Sequence, residues 1–245
     1  MKYSLYTFLF LFTFLSSCSQ KTGSTQPNGS VASAHPLATQ AGLKVLENGG
    51  NAFDAAIAVA SVLNVVEPMM SGLGGYGTIL IYDAKSKKIR YLNPSGRFPV
   101  KTNTDLMRSP SPNYLKNRVG PKAISTPGNL NAWVEMHQKY GKTPWKNLFD
   151  SAIKHAKNGF TISSNTAKWI EYSFSNFNEY PKSFYSKNGK PLNKGDKLIQ
   201  NDLANTFKLI ASKGAKPFYN GVIAKAIDKQ MNEAGSFLSL EDLQN

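Results

Sequence analysis

One cysteine, three histidines and four arginines stand in a chain of 245 residues, and each scarcity closes off a chemistry. With Cys18 alone there is no disulfide within the chain and no cysteine-based metal site. His35, His137 and His155 are widely separated and lack the spacing of a metal-ligand cluster, so neither a metal nor another cofactor is expected. Acidic residues are also few, 15 Asp+Glu against 29 Lys+Arg. A nucleic-acid surface would be clustered and rich in arginine. Here the basic residues are almost all lysines spread along the chain, with Lys87-Lys88 as the longest run. They read as a solvated surface, and no nucleic-acid partner is expected. The apolar run from Leu5 to Leu15 is too short to span a bilayer comfortably. What remains is 41% hydrophobic and 11% aromatic, the composition of a chain that folds around a core.

The first residues, "MKYSLYTFLFLFTFLSSCSQ", place one early lysine before that apolar run and small residues after it, as in a secretory signal. Leu15-Ser16-Ser17-Cys18 resembles a bacterial lipobox, in which cleavage precedes the cysteine and lipid is attached to its sulfur. The plainer reading is an ordinary cleaved signal with an incidental cysteine. Because the one cysteine falls where a lipobox requires it, residues 1–17 are read as a lipoprotein signal peptide and Cys18 as the lipidation site. Residues 19–30, "SQKTGSTQPNGS", are polar and rich in Gly and Ser, so 18–30 is read as lipidated cysteine plus flexible tether. The expected location is the bacterial cell envelope, lipid-anchored and outside the cytoplasm.

From Val31 onward the pattern becomes regular. Leu37–Asn48 reads as a helix with Pro36 in its first turn and Gly49-Gly50 as its stop. Asn51 caps a second helix, with Asp54 in the first turn, where a carboxylate suits the helix dipole. That helix, "AFDAAIAVASVLNVV" from Ala52 to Val66, is apolar nearly all round and is expected to be buried. Asp54 is accordingly a capping or packing residue rather than a catalytic carboxylate, and Glu67-Pro68 a helix end. "TILIYD" and "IRYLN", separated by the lysine-rich "AKSKK", form an antiparallel hairpin. The rest is mostly helical: Leu130–Tyr140, Trp145–Lys157, Ser163–Phe177, Asn201–Ser212 and Ile223–Glu233. His137 and His155 lie on these helices as structural residues.

Between the second helix and the hairpin stands "SGLGGYG", Ser71 to Gly77, which contains G-x-G-x-x-G. A dinucleotide loop follows a parallel strand and opens a helix whose N–H groups face the phosphates. Here a helix precedes the glycines and an antiparallel strand follows them. The order is reversed, and the glycines are assigned to a sharp helix-to-strand turn and close backbone packing.

The ordered blocks resemble those of the γ-glutamyltransferase (γ-glutamyltranspeptidase) family, from about Val31 to the last residue. They include Gly49-Gly50-Asn51-Ala52-x-Asp54-Ala55-Ala56, Glu67-Pro68 and Ser71-Gly72-x-Gly74-Gly75. "STPGNLNAW", "YGKTPWKNLFDSAIKHAKNGFTIS", "PLNKGDKLIQNDLANTFKLIASKGAKPFYNGVIAKAI" and "GSFLSLEDLQ" follow in order. The resemblance implies an α+β fold, the N-terminal part of the αββα sandwich of N-terminal-nucleophile hydrolases, with antiparallel strands and a helix-rich second half. It implies a precursor that cleaves itself into a large and a small subunit. The new N-terminal Thr of the small subunit then attacks the γ-carbonyl of a γ-glutamyl compound such as glutathione, its free amine acting as base.

On this resemblance residues 31–245 correspond to an incomplete large-subunit region, and no catalytic residue is expected within the chain. No threonine stands in the Thr-Thr-His-like context of the nucleophile, and there is no Thr-Thr pair. The expected partners are a γ-glutamyl small molecule, a complementary small subunit and, through Cys18, a membrane. The family's "RExAP"-like loop after the hairpin carries an Arg that clamps the substrate α-carboxylate. Here the loop reads "NPSGRFPVK": aligning the proline puts Ser95 at the position of the clamp, and Arg97, two residues on, is the candidate substrate-binding residue. Its plainer reading is an exposed or locally paired surface Arg. Two other functions remain open: a catalytically inert lipoprotein keeping the first half of the fold, and a related amidase such as a cephalosporin acylase.

Overall fold

A computed structural model describes residues 29–103, 105, 107 and 118–245; Cys18 and most of the stretches read above as signal peptide and tether lie outside the described residues. The first helix, α1 (Pro36–Glu47), has proline at its start and His35 as its cap, the ring Nδ1 accepting from the Leu37 N–H at 3.2 Å. Helix α2 (Ala52–Val66) opens on a reciprocal capping box. Asn51 Oδ1 accepts from the N–H groups of Phe53 and Asp54, and Asp54 Oδ2 accepts from the Asn51 N–H. The two helices pack along their lengths. Glu67 ends α2, its N–H donating to Leu63 O at 2.9 Å.

The hairpin follows as β1 (Ile79–Asp83) and β2 (Lys88–Leu92), antiparallel, with Ile81 opposite Arg90. Asp83 closes its turn by accepting from Ser86 Oγ at 2.6 Å and from the Lys85 N–H. Ile81 is buried, whereas Leu80, Tyr82, Ile89 and Tyr91 share the other face and are 60–74% exposed. After α3 (Asn129–Tyr140) the expected helix Trp145–Lys157 divides. Trp145–Phe149 is a turn of 3₁₀ helix and α4 runs Asp150–Asn158. The division has a tertiary cause. The Trp145 indole donates to Ile210 O at 3.0 Å and its ring meets Phe149 edge-on at 4.8 Å. The tighter turn brings Leu148 and Phe149, both fully buried, into the core together.

The second half is helical, joined by short ladders. Strand β3 (Phe160–Thr161) precedes α5 (Ser164–Phe174), shorter than the expected Ser163–Phe177 because Ser163 is its N-cap and Ser175 its C-cap. Helix α6 (Glu179–Tyr185) was not legible in the sequence. Strands β4 (Ser186–Lys187) and β5 (Lys190–Pro191) pair with each other, and β6 (Lys197–Leu198) pairs with β3. Then come α7 (Asn201–Lys213), α8 (Lys216–Tyr219), α9 (Val222–Glu233) and α10 (Leu240–Gln244). The main core lies among α2, α4, the 3₁₀ turn and α7, with Phe149 stacked on Phe207 at 5.9 Å. Each such fully buried side chain stabilises the fold by about 1.5–3 kcal/mol.

The expectation that α2 is covered all round is corrected. Ala52 and Ala56 are exposed, and Val59, Ala60 and Leu63 are only half buried. This face lines an apolar groove of about 760 Å³, flanked by Val31, Ala32 and Leu46. No helix among the described residues is long and apolar enough to cross a membrane.

Candidate functional site

The loop that carries Arg97 leaves β2 at Leu92 and is fixed at three points. At its start the Ser95 N–H donates to Asn93 Oδ1 at 3.0 Å. In its middle it lies against the segment 125–128: the Thr126 N–H donates to Arg97 O at 2.9 Å. The two backbones approach so closely that a Cβ on Gly96 would stand 2.2 Å from Thr126 O, and one on Gly128 would stand 2.3 Å from Pro94 O. Only glycine fits either place. At its far end the Val100 N–H donates to Asp242 Oδ1 at 2.7 Å, across 142 positions of sequence.

Asp242 belongs to α10 and is nearly fully buried. Its other oxygen accepts from the Ser239 N–H and hydroxyl at 2.8 and 2.7 Å, so one carboxylate caps α10 and holds the Arg97 loop. Burial raises its pKa, but the Ser239 hydroxyl, the Val100 and Ser239 amides and the Lys101 charge outweigh this and hold it below the usual carboxylate range. The capping spacing Ser239-x-x-Asp242 is visible in the sequence; the bond to Val100 is not.

The glycine loop comes to the same segment. The Asn129 N–H donates to Gly75 O at 3.3 Å and Asn129 Nδ2 to Gly72 O at 3.4 Å. From below, Asn64 Nδ2 donates to Ser71 Oγ at 2.8 Å. Segment 125–129 is itself tied to α8. Tyr219 Oη donates to Pro127 O at 3.1 Å and accepts from the Asn131 N–H at 3.2 Å, and burial pushes its phenol up to about 12. The start of α3 therefore fastens both loops. Gly72–Gly77 opens onto the antiparallel β1 and begins no helix, in keeping with the turn expected there.

Arg97 is exposed, and its guanidinium makes no ion pair among the described residues. Ser95, two residues earlier, is exposed as well. A charged group on an anchored backbone, free of an internal carboxylate, is suited to receiving an external one. Asp54, by contrast, is wholly buried and accepts from the N–H groups of Asn51, Lys142 and Thr143 at 3.0–3.2 Å. It joins the start of α2 to the turn after α3, as a structural carboxylate. His137 likewise contacts Thr143 O through Nε2 at 2.8 Å and packs edge-on against Trp145.

The family model described as Gamma-glutamyltranspeptidase matches residues 38–245. The chain belongs to the γ-glutamyltranspeptidase family. It is 40% identical over 222 residues to the glutathione hydrolase proenzyme of Bacillus subtilis (strain 168), an alignment covering 89% of this chain and 38% of that protein. It is 33% identical over 238 residues to the acylase ACY 1 proenzyme of Pseudomonas sp. (strain V22), covering 92% of this chain and 42% of the relative. The crystal structure of Helicobacter pylori γ-glutamyltranspeptidase superposes with a TM-score of 0.82 at 35% identity, over 88% of this chain and 63% of that one. The chain thus spans about two fifths of the length of these curated relatives. The α+β, antiparallel fold expected of a γ-glutamyltranspeptidase large-subunit region is the fold observed.

Proposed function

We propose that this chain forms the large-subunit part of a γ-glutamyltransferase-like enzyme, which hydrolyses or transfers γ-glutamyl groups such as that of glutathione. In this reading the nucleophilic Thr, the base and the oxyanion donors come from a complementary small subunit. This chain supplies Arg97, whose guanidinium holds the substrate α-carboxylate while the γ-carbonyl is attacked. The observation that carries the reading is the family match over 38–245, with the Arg97 loop anchored within the matched region. Residues 31–245 act as the large-subunit region, and Cys18 anchors the protein by lipid on the outer side of the cytoplasmic membrane or at the outer membrane.

The test supplies a small-subunit partner. The full chain is co-expressed with the C-terminal remainder of the Bacillus subtilis relative, and the release of the aniline from a γ-glutamyl anilide is followed. Turnover that needs both parts supports the reading; an assembled, processed pair that leaves the anilide untouched sinks it. Membrane fractionation of wild type and Cys18→Ala tests the anchor, and equal release of both into the soluble fraction overturns it.

Two observations favour a second reading, an amidase acting on another acyl group. Ser95 stands where the usual clamp belongs, and the acylase relative is 33% identical. Preference of the same assembled pair for an acyl amide without an α-carboxylate decides for it.

A further inference from the structure

The stretch 186–198 carries four lysines and one carboxylate, with no arginine and no aromatic residue, and all four lysines are exposed. Lys187 and Lys190 stand opposite each other across β4 and β5. The turn between them, Asn188-Gly189, has both residues at positive φ, 53° and 73°. The next turn, Lys194-Gly195-Asp196-Lys197, is closed by Gly195 at φ 92° and by the Asn193 N–H donating to Asp196 Oδ2 at 2.8 Å.

The stretch is held within itself and to its neighbours, with the Gly195 N–H donating to Ile162 O at 3.0 Å and Asp196 O accepting from the Ile162 N–H at 2.8 Å. Asp196 Oδ1 lies 3.6 Å from Lys187 Nζ, and the Leu192 N–H donates to Tyr185 O at 2.9 Å. Lys197 is paired with Thr161 across β3 and β6, and its Cε passes over Gly159, two residues beyond Lys157. Lys157, Lys187, Lys190, Lys194 and Lys197 are all exposed. Among the described residues only Lys187 of these five has an ion pair.

Like charges directly opposite each other weaken a ladder, so folding alone gives no reason for Lys190 to face Lys187. The face lacks the arginine fork that grips a single small anion and the aromatic platform that stacks a base. It presents an array of ammonium point charges, suited to a surface recognised by charge density. We propose that this lysine face docks on the anionic phospholipid headgroups of the membrane to which the protein is anchored.

The start of the described chain supports that occupant. Gly29 lies against Leu46, at the end of α1. At the other end of α1, His35 meets Phe160 of β3 edge-on at 6.2 Å, and β3 is the strand that pairs with Lys197. A helix of 12 residues is about 18 Å long. Residues 19–28 between Cys18 and Gly29 reach at most roughly 35–40 Å. A membrane anchor at Cys18 therefore leaves the lysine face within range of the headgroups. The proposal extends the anchor reading, and its test removes Cys18 so that the two fail separately.

Full chain carrying Cys18→Ala is sedimented with phosphatidylcholine vesicles, and with vesicles in which about a third of the lipid is phosphatidylglycerol. The apolar run 5–15 contributes alike to all variants, so the difference between vesicle types is the reading. The anionic preference is expected to fall at least about tenfold in the combined Lys187→Gln, Lys190→Gln, Lys194→Gln and Lys197→Gln variant, and to fade with added salt. Removing the same charge at the exposed Lys85, Lys88, Lys208 and Lys225 should change it by less than about threefold. Equal loss in both variants, or no anionic preference at all, overturns the proposal. So does tight binding of soluble polyglutamate without vesicle binding. If the four-lysine variant does not fold, hydrogen exchange of the Cys18→Ala chain on the same vesicles decides. New protection at 186–198 supports docking, and its absence refutes it.

Discussion

Arg97 is positioned through its backbone rather than its side chain: Thr126, the close approach of Gly96 and the bond from Val100 to Asp242 hold the loop while the guanidinium points into solvent. In the assembled enzyme Arg97→Ala should cost on the order of 2–5 kcal/mol in kcat/KM, because a desolvated carboxylate loses its charged partner. Arg97→Lys should rescue only part of this, since an ammonium cannot reproduce the planar fork. A kcat/KM of the alanine variant within about threefold of wild type would show that Arg97 is not the clamp. A second residue-scale effect concerns His35 and His155. Burial lowers the pKa of both below 6.5, and the charges of Lys154 and His35 add to the effect on His155. Their neutral forms are the folded forms. Their contribution to stability is therefore fully present above pH 6.5 and is lost as pH falls through the lowered folded values. The thermal midpoint should drop on acidification from about pH 7.5 to about pH 5. His155→Gln combined with His35→Asn, which keeps a cap acceptor, should flatten that slope; an unchanged slope assigns the effect to other groups.

At the scale of elements, α2 depends on a carboxylate far more than its apolar sequence suggests. Asp54 takes three backbone N–H groups that have no water to turn to. Asp54→Ala should lower unfolding free energy by roughly 3 kcal/mol or more, because buried donors are left unpaired. Chemical denaturation measures this, and a loss below about 1 kcal/mol would reduce Asp54 to an ordinary cap. The hairpin makes the complementary case. Leu80 faces Tyr91 and Tyr82 faces Ile89, an exposed apolar surface on the side away from buried Ile81. A strand pair apolar on both faces belongs between two layers. Tyr82→Lys should make the chain alone less prone to aggregate, and should weaken its assembly with the small subunit. Light scattering and co-purification read the two effects, and unimpaired assembly would mean that this face stays uncovered in the complete enzyme.

At the scale of the molecule, the fold fastens the loop that carries Arg97, the proposed substrate-binding residue, and the described residues bring together no nucleophile with a base and oxyanion donors. Purified alone, the chain should release no aniline from a γ-glutamyl anilide and should yield no self-cleaved pair of bands. Either activity would place a nucleophile within these 245 residues. The open groove on α2 and the open hairpin face point the same way, as surfaces that a further layer would cover.

The sequence by itself determined the elements whose causes are local. Pro36, the Asn51–Asp54 box and Gly141 mark helix ends because capping and backbone restriction act within a few residues. The hairpin was legible from alternation and its turn, and the order of helix, glycines and strand was enough to set aside a nucleotide loop. The family blocks were readable for the same reason, as local strings in order. What only the tertiary structure decided depends on partners distant in sequence. The helix at 145–158 breaks because Trp145 is held by Ile210, and the two-residue ladders β3–β6 and β4–β5 are too short to show a period. The Arg97 loop is fastened by Thr126, Gly128 and Asp242, which no spacing connects to it. A hydrogen bond across 142 positions leaves no periodic trace in a chain; it forms because the folded core brings α10 beneath that loop.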